Sequence, residues 1–270
     1  MAITALSSAA TGLRALSTRI DVVANNLANA ETTAFKGSRV NFEDLMYSVV
    51  KQPGATGSNS NDVSPAGLFI GLGTKISNTQ LDFSQGSMES TGRMLDVGIQ
   101  GQGFFKIQLL PTIGNGIGYT RNGTFFVNSV GNLVLGMGDG YKLIPPITIP
   151  NGTTDVSIAT DGTINVLKSG ATAKQKVGQL QLTQFVNPQG LSLLGGGIYT
   201  ETDSSGKPVD GKPGENGAGT ILQNFLEGSN VDPVKELVTL IKTQRAFELN
   251  SQSIQTADQA LQTIGNLRRG

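Results

Sequence analysis

The stretch Leu6–Lys36, LSSAATGLRALSTRIDVVANNLANAETTAFK, decides how the rest of the chain is read. Leu6, Ala9, Leu13, Leu16, Ile20, Val23 and Leu27 follow the alternating three-and-four spacing of a helix that buries one narrow seam. About 22 residues at ~1.5 Å rise make a rod roughly 33 Å long. Each large apolar side chain contributes ~1.5–3 kcal/mol when fully buried, while ordering the backbone costs ~1–2 kcal/mol per residue. The helix therefore needs a partner. Asn25, Asn26 and Asn29 crowd its end, where short amide side chains compete for backbone groups, so the helix is expected to stop near Asn29. That cluster has two readings: termination alone, or termination that also fixes a junction to a neighbouring element or subunit.

The partner candidate lies at the other end of the chain. Asn230 or Asp232 can cap a helix with Pro233 in its first turn and Glu236 complementing the N-terminal dipole. Leu240, Phe247, Ile254 and Leu261 recur every seven residues, and Leu237, Ile241, Ala257 and Ile264 widen the stripe. Gln244, Ser251 and Asp258 stand where a two-stranded zipper places its second apolar series, so the seam is thin and leaves room for more than two helices. The expected packing positions are Leu6, Leu13, Leu16, Ile20, Val23 and Leu27 on the first helix, and Leu237, Leu240, Phe247, Ile254 and Leu261 on the second.

Between the ends the chain reads as β-structure. SRVNFEDLMYSVV (38–50) fits a short helix or an extended strand. Lys51–Gly67, KQPGATGSNSNDVSPAG, has the Pro, Gly, Ser and Asn content of a loop, in a length that is uncommon inside compact domains unless functional or disordered. Phe105, Ile107 and Leu109 alternate, and Phe126 leads through VNSVGN to Leu133 and Leu135 as strand, turn, strand. Asp161-Gly162 between two alternating runs is the strongest hairpin signal. Leu180 and Leu182 continue the pattern, and Pro145, Pro146 and Pro150 confine ITI to an edge or crossover. Asp96–Gln184 is thus expected to form a small antiparallel sheet or open barrel.

Composition excludes more than it suggests. Twenty basic and twenty acidic residues leave no net charge and no basic block for nucleic acid. There is no Cys and no His, so disulfides, thiolate or imidazole catalysis and zinc sites built on those residues are ruled out. A carboxylate-only enzyme or an oxygen-ligand Ca²⁺ or Mg²⁺ site stays open. Thirty-six Gly, where ~7% usage gives about 19, and no Trp favour turns and strands over a large enzyme core. GKPVDGKP (206–213) begins like a P-loop but has Pro213 at the Ser/Thr position and no following helix. GQG at 101–103 reads as a turn before a strand. Asp139, Asp155, Asp161 and Asp203 and the two NGT tripeptides at Asn122 and Asn151 read as turn chemistry. No cofactor and no catalytic constellation is expected. MAITALSSAATGLR lacks the pattern of a cleaved Sec signal, and no apolar run approaches the ~18 residues of a membrane span.

The segments DVVANNLANAETTAFKGSRVNFEDL, DVGIQGQGFFKI, YTRNGTFFVNSVGNLV and EGSNVDPVKELVTLIKTQRAFELNSQSIQTADQALQ together resemble the flagellar rod and hook proteins of bacteria, over nearly the whole chain. The length and the YSVVKQPGATGSNSNDVSPAGLFIGLG stretch are most similar to the distal-rod branch. On that resemblance the motif positions are Asn25, Asn26, Leu27, Asn29, Phe35, Lys36, Ser229, Asn230, Gln244 and Arg245. The implied architecture is α+β: paired terminal α-helices in an inner coiled-coil layer (1–35 and 231–270), a β-rich connector (36–95 and 196–230) and a small antiparallel β outer domain (96–195). The implied function is a structural subunit of a stiff helical homo-polymer that carries motor torque to the hook. Its partners would be proximal rod and hook subunits, the surrounding periplasmic and outer-membrane ring proteins, and the type III export apparatus that delivers it without signal cleavage to the rod crossing the periplasm. Neither nucleic-acid binding nor membrane insertion is implied. The polar insertion, with Tyr47, Gln52, Pro53, Gly54, Pro65 and Gly67, is expected to brace neighbouring subunits. A hook or proximal rod subunit is the competing reading within the family, and a glycan-binding β module with helical oligomerisation ends is the competitor outside it.

Overall fold

The computed structural model describes residues 2–54, 65–138 and 140–267. The middle of the expected bracing segment (55–64), the Asp139 turn and the Arg-Arg-Gly tail (268–270) lie outside the described residues. Two compact units emerge: one from Met1–Ala28, Ser38–Gln80 and Asp232–Gly270, the other from Asn29–Gly37 and Leu81–Val231.

The first unit holds both helices, α1 (Ala2–Ala28) and α2 (Pro233–Leu267), which pack against each other. Asp232 caps α2, its Oδ1 accepting from the amides of Val234 (3.0 Å) and Lys235 (3.3 Å), with Pro233 in the first turn where no amide is needed. Asn230, the other cap candidate, has a different task described below. On α2 the less exposed face contains Glu236, Leu240, Thr243, Phe247, Asn250, Ile254, Ala257 and Leu261 in alternating steps of four and three, flanked by the half-buried Thr239, Ala246 and Ser251. The second series is centred on Thr243, Asn250 and Ala257; of the expected Gln244, Ser251 and Asp258, one residue further on, Ser251 is half-buried and the other two are exposed. Leu237, an expected packing residue, lies off this face and is 45% exposed, as is its neighbour Ile241 at 50%.

On α1, Val23 is buried, whereas Leu6, Leu13, Leu16, Ile20 and Leu27 are half-buried in the single chain. Small residues set the close approach. Ala15 is buried, and a Cβ on Gly12 would stand 3.4 Å from the Asn250 side chain. The 38–50 stretch resolves as strand: β1 (Ser38–Asp44) pairs with β4 (Thr74–Leu81), and β2 (Tyr47–Lys51) pairs antiparallel with β3 (Leu68–Gly71). Asn26 settles the asparagine question for its own position. Buried at the end of α1, it accepts from the Ser38 amide through Oδ1 (3.0 Å) and donates to the Ser38 carbonyl through Nδ2 (2.8 Å), pinning the start of β1 as a neighbouring strand would.

The second unit is the β body. It contains β5 (Met88–Ser90), β6 (Val97–Gln100), β7 (Phe105–Gln108), β8 (Ile117–Thr120), β9 (Phe125–Val127) and β10 (Leu133–Leu135). There follow β11 (Thr153–Ile158), β12 (Thr163–Lys168), β13 (Gln175–Gln179), β14 (Leu182–Gln184), β15 (Ser192–Gly195) and β16 (Ile198–Thr200). The last three are β17 (Val209–Gly211), β18 (Thr220–Gln223) and β19 (Phe225–Glu227). These make several small sheets rather than one: β15-β16-β8-β7, β11-β12-β13, and the pairs β10-β9, β14-β17, β18-β6 and β19-β5.

The Asp161-Gly162 hairpin forms as expected from the sequence. Ala159 and Thr163 flank the turn, Gly162 takes φ +81°, and Asp161 Oδ1 accepts from the Thr163 amide at 2.9 Å. Residues 198–227, read from sequence as connector, supply β16 to β19 to this body. An aliphatic core runs through Val97, Ile99, Phe105, Ile107, Leu133, Ile164, Val166, Leu180, Leu182 and Ile221. A second core is aromatic: Phe104 meets Phe83, Phe185 and Tyr199 edge-on at 5.5–5.8 Å, the geometry that ring quadrupoles favour. Few aromatics in the sequence does not mean dispersed aromatics.

Candidate functional site

The ANAETTAFKG ending of the opening stretch leads into the most unusual chemistry of the chain. After α1, Thr32 closes a turn on Asn29, its amide donating to the Asn29 carbonyl at 3.1 Å and its hydroxyl to Asn29 Oδ1 at 3.1 Å. Ala34 then adopts a left-handed backbone (φ 56°), which a short side chain tolerates better than a branched one. Its amide donates to the carbonyl of Glu227 at 2.7 Å. This geometry delivers Lys36 into the β body.

There, Lys36 Nζ donates to Glu227 Oε1 (2.7 Å) and to the Ser84 carbonyl (2.7 Å), with both charged side chains fully buried. The other carboxylate oxygen, Oε2, accepts from Arg121 Nε at 2.7 Å. Arg121 spends its remaining donors on the carbonyls of Gly103 (3.0 Å), Gly101 (3.0 Å) and Ile99 (3.4 Å). Two of those carbonyls belong to the GQG turn and the third to β6, so the arginine holds in place the loop that leads from β6 into β7. Glu227 Oε1 also accepts the Gly86 amide at 3.0 Å. Both oxygens of a buried carboxylate between two cations are thus hydrogen-bonded, Oε1 twice and Oε2 once, the condition under which buried ion pairs persist.

Asn230 completes the arrangement. Its Oδ1 accepts from the Gly37 amide (2.8 Å) and its Nδ2 donates to the Asp82 carbonyl (2.8 Å), while its own amide donates to the Phe35 carbonyl (3.3 Å). Residues 34–37 and 227–230, which adjoin α1 and α2 in sequence, are therefore stitched to one another inside the second unit.

The electrostatics follow from burial. Desolvation pushes the Glu227 carboxyl up, but Arg121 and then Lys36 outweigh it and hold the group below its ordinary value. Burial is also the leading cause for Lys36, which is held below its ordinary value against the pull of Glu227 and with reinforcement from Arg121. Charging Lys36 in the folded state is therefore a cost that Glu227 offsets in part. The depressed Glu227 gives stability that is present above the unfolded carboxylate value and lost as pH falls through the folded one. We expect the urea midpoint of the second unit to fall as pH drops below about 4, and Glu227→Gln to flatten that acid limb. An unchanged acid limb in the variant would assign the titration to another group.

Among the other motif positions, Asn26 is buried, Phe35 half-buried, and Asn25, Gln244 and Arg245 are exposed. Ser229 Oγ accepts from the Val231 amide at 3.2 Å. Tyr47, Gln52, Pro53, Gly54 and Pro65 are exposed, and Gly67 is half-buried at the foot of β3. Asn122 of the first NGT tripeptide is 1% exposed and turns on the Thr124 amide (2.9 Å), which closes the glycosylation reading there. Among the described residues, no cluster of three or more acidic side chains is placed to hold a metal. No described helix is long and apolar enough to cross a membrane. Glu227 and Arg121 were not singled out by sequence reasoning, although both stand in quoted segments. Their only signal is a lone charge within an otherwise apolar or turn-forming context, which is too common to be specific.

Three stretches of the chain match known families. Residues 6–36 match the family described as flagella basal body rod protein, 98–166 the flagellar hook protein FlgE/F/G D1 domain, and 222–267 the flagellar basal body rod FlgEFG protein C-terminal region. Lys36, Arg121 and Glu227 come one from each of these three segments. The flagellar basal-body rod protein FlgG of Buchnera aphidicola subsp. Acyrthosiphon pisum is 44% identical over 257 residues, covering 95% of this chain and 96% of that protein. FlgG of Caulobacter vibrioides is 40% identical over 264 residues (98% and 99%), and FlgG of Bacillus subtilis 35% over 269 (98% of each). With likeness of this degree along nearly its whole length, the chain belongs to the flagellar basal-body rod protein family.

Proposed function

We propose that this chain is a structural, non-catalytic subunit of the distal rod of a bacterial flagellum, polymerising into a stiff helical tube between proximal rod and hook. The observation that carries the polymer reading is the apolar surface of the first unit. Val234, Leu237, Val238 and Ile241 are exposed on α2, and Met46, Tyr47, Val49, Val50, Leu68 and Phe69 on the β2–β3 hairpin. A two-stranded ribbon with this much wet apolar surface is marginal in isolation, and contiguous exposed patches mark interaction sites. Copies of the same chain cover these faces in a tube: α1 and α2 form its inner coiled-coil layer, 36–95 its connector and 96–195 its outer domain. Tyr47, Gln52, Pro53, Gly54, Pro65 and Gly67 then frame a brace lying across neighbours. Delivery through the type III export apparatus and contact with the surrounding ring proteins complete the reading.

The test is assembly of the purified chain. Concentrated protein should form straight tubes in which Leu6–Leu27 and Leu240–Leu261 become protease-resistant, whereas both are cleaved in dilute monomer. Deleting 51–67 should give a polymer that bends more readily. A supercoiled tube would favour the hook reading, and a monomer with fully resistant helices would overturn the polymer altogether.

A further inference from the structure

The second unit is closed by residues that come late in the chain. β5 to β17 occupy residues 88–211, yet the groups that complete them follow residue 219. β18 pairs antiparallel with β6 and puts Ile221, 1% exposed, into the aliphatic core. The Gln223 side chain ties two other backbone segments together: Nε2 donates to the carbonyls of Met94 (2.8 Å) and of Val156 in β11 (2.7 Å), and Oε1 accepts from the Ile158 amide of the same strand (3.0 Å). β19 pairs with β5, and Glu227 is the anion that Lys36 and Arg121 share. Without this segment two buried cations lose their anion, β6 loses its partner strand, and the core opens at Ile221. A buried charge without its counter-ion is among the most destabilising defects a fold can carry.

The first unit has the same dependence, because α1 packs on α2, which begins only at Pro233. We propose that residues 220–230 are a folding latch. A chain emerging from its N-terminus stays open until they are present, so that the β body closes only once residue 230 has followed, and the helical pair only once α2 has. Chains that end before residue 220 are thereby excluded from assembly. That use of the latch rests on the rod-subunit reading; the latch itself rests only on contacts within one chain.

A protease site inserted between Asn216 and Gly217, in an exposed turn, allows the folded full-length protein to be cut next to the latch. Tyr119 and Tyr199, buried in the aromatic core, report its state by near-ultraviolet circular dichroism. The cut protein should keep that signal. After denaturation and separation, the N-terminal fragment alone should lose both the signal and its protease resistance, and adding the C-terminal fragment should restore them. A synthetic 217–231 peptide, which lacks α2, should restore the tyrosine signal as well, and the same peptide with Glu227→Ala should not. An N-terminal fragment that regains the signal unaided overturns the latch. So does a requirement for α2 before the tyrosine signal returns. Failure of the protein to polymerise would count against the rod reading and leave these readouts unchanged.

Discussion

Glu227→Ala is expected to destabilise the second unit by about 3–5 kcal/mol, because it strands charges inside the β body that its carboxylate now neutralises. Lys36 and Arg121 each lose a 2.7 Å partner, and Lys36 has no exposed surface through which water can replace it. The Arg121 fork retains its three carbonyl partners, so the loss concentrates on Lys36. Urea titration followed by the near-ultraviolet tyrosine signal measures the effect. Lys36→Met is the informative contrast. It leaves Glu227 paired with Arg121 and the Gly86 amide, so its cost should be clearly smaller, and in the Glu227→Ala background it should recover part of the loss. A Glu227→Ala effect below ~1 kcal/mol would mean that the site admits water on truncation, and that the ion pairs do not hold the second unit together.

Phe104→Ala is expected to cost about 3–5 kcal/mol through a different mechanism, the cavity left in the aromatic core. The ring is 3% exposed and touches Phe83, Phe185 and Tyr199 edge-on, while the Arg121 guanidinium lies 6.0 Å from its centroid. Its backbone is fixed as well, exchanging both hydrogen bonds with Thr183 at 2.9 Å, so the site cannot collapse freely onto the space. Phe104→Leu keeps most of the volume and should cost roughly 1–2 kcal/mol. Thermal and urea unfolding of both variants give the comparison. Equal losses for Ala and Leu would point to the aromatic edge contacts rather than to packed volume.

Much of the fold is legible in one dimension because its causes are local. Helical periodicity and the missing Cβ of Gly162 act over a few residues, and α1, α2 and the Asp161-Gly162 hairpin stand where those rules put them. The register of α2 was legible only in part. Leu240, Phe247, Ile254 and Leu261 set the period, but a step of three or of four from Leu240 decides between Thr243 and Gln244. The burial of Thr243 beside an exposed Gln244, and the close approach of Asn250 to Gly12, show which was taken. The cap raises the same issue: Asn230 and Asp232 are equivalent by chemistry, and Asp232 caps the helix because Asn230 is drawn to Gly37 and Asp82.

The sequence by itself determined the two terminal helices, the turn-rich β middle, the absence of Cys and His chemistry, and a motif pattern specific enough to point to the family. Each of these is written in residue type and short spacing. The pairing of Lys36 with Glu227 across 191 positions, the enclosure of Arg121 between them and the GQG turn, and the gathering of Phe83, Phe104, Phe185 and Tyr199 were decided by tertiary structure alone. The physical reason is that a charge carries no mark of its counter-ion. Lys36 looks like any surface lysine until folding removes water from around it, and only then does the Glu227 carboxylate at 2.7 Å become indispensable.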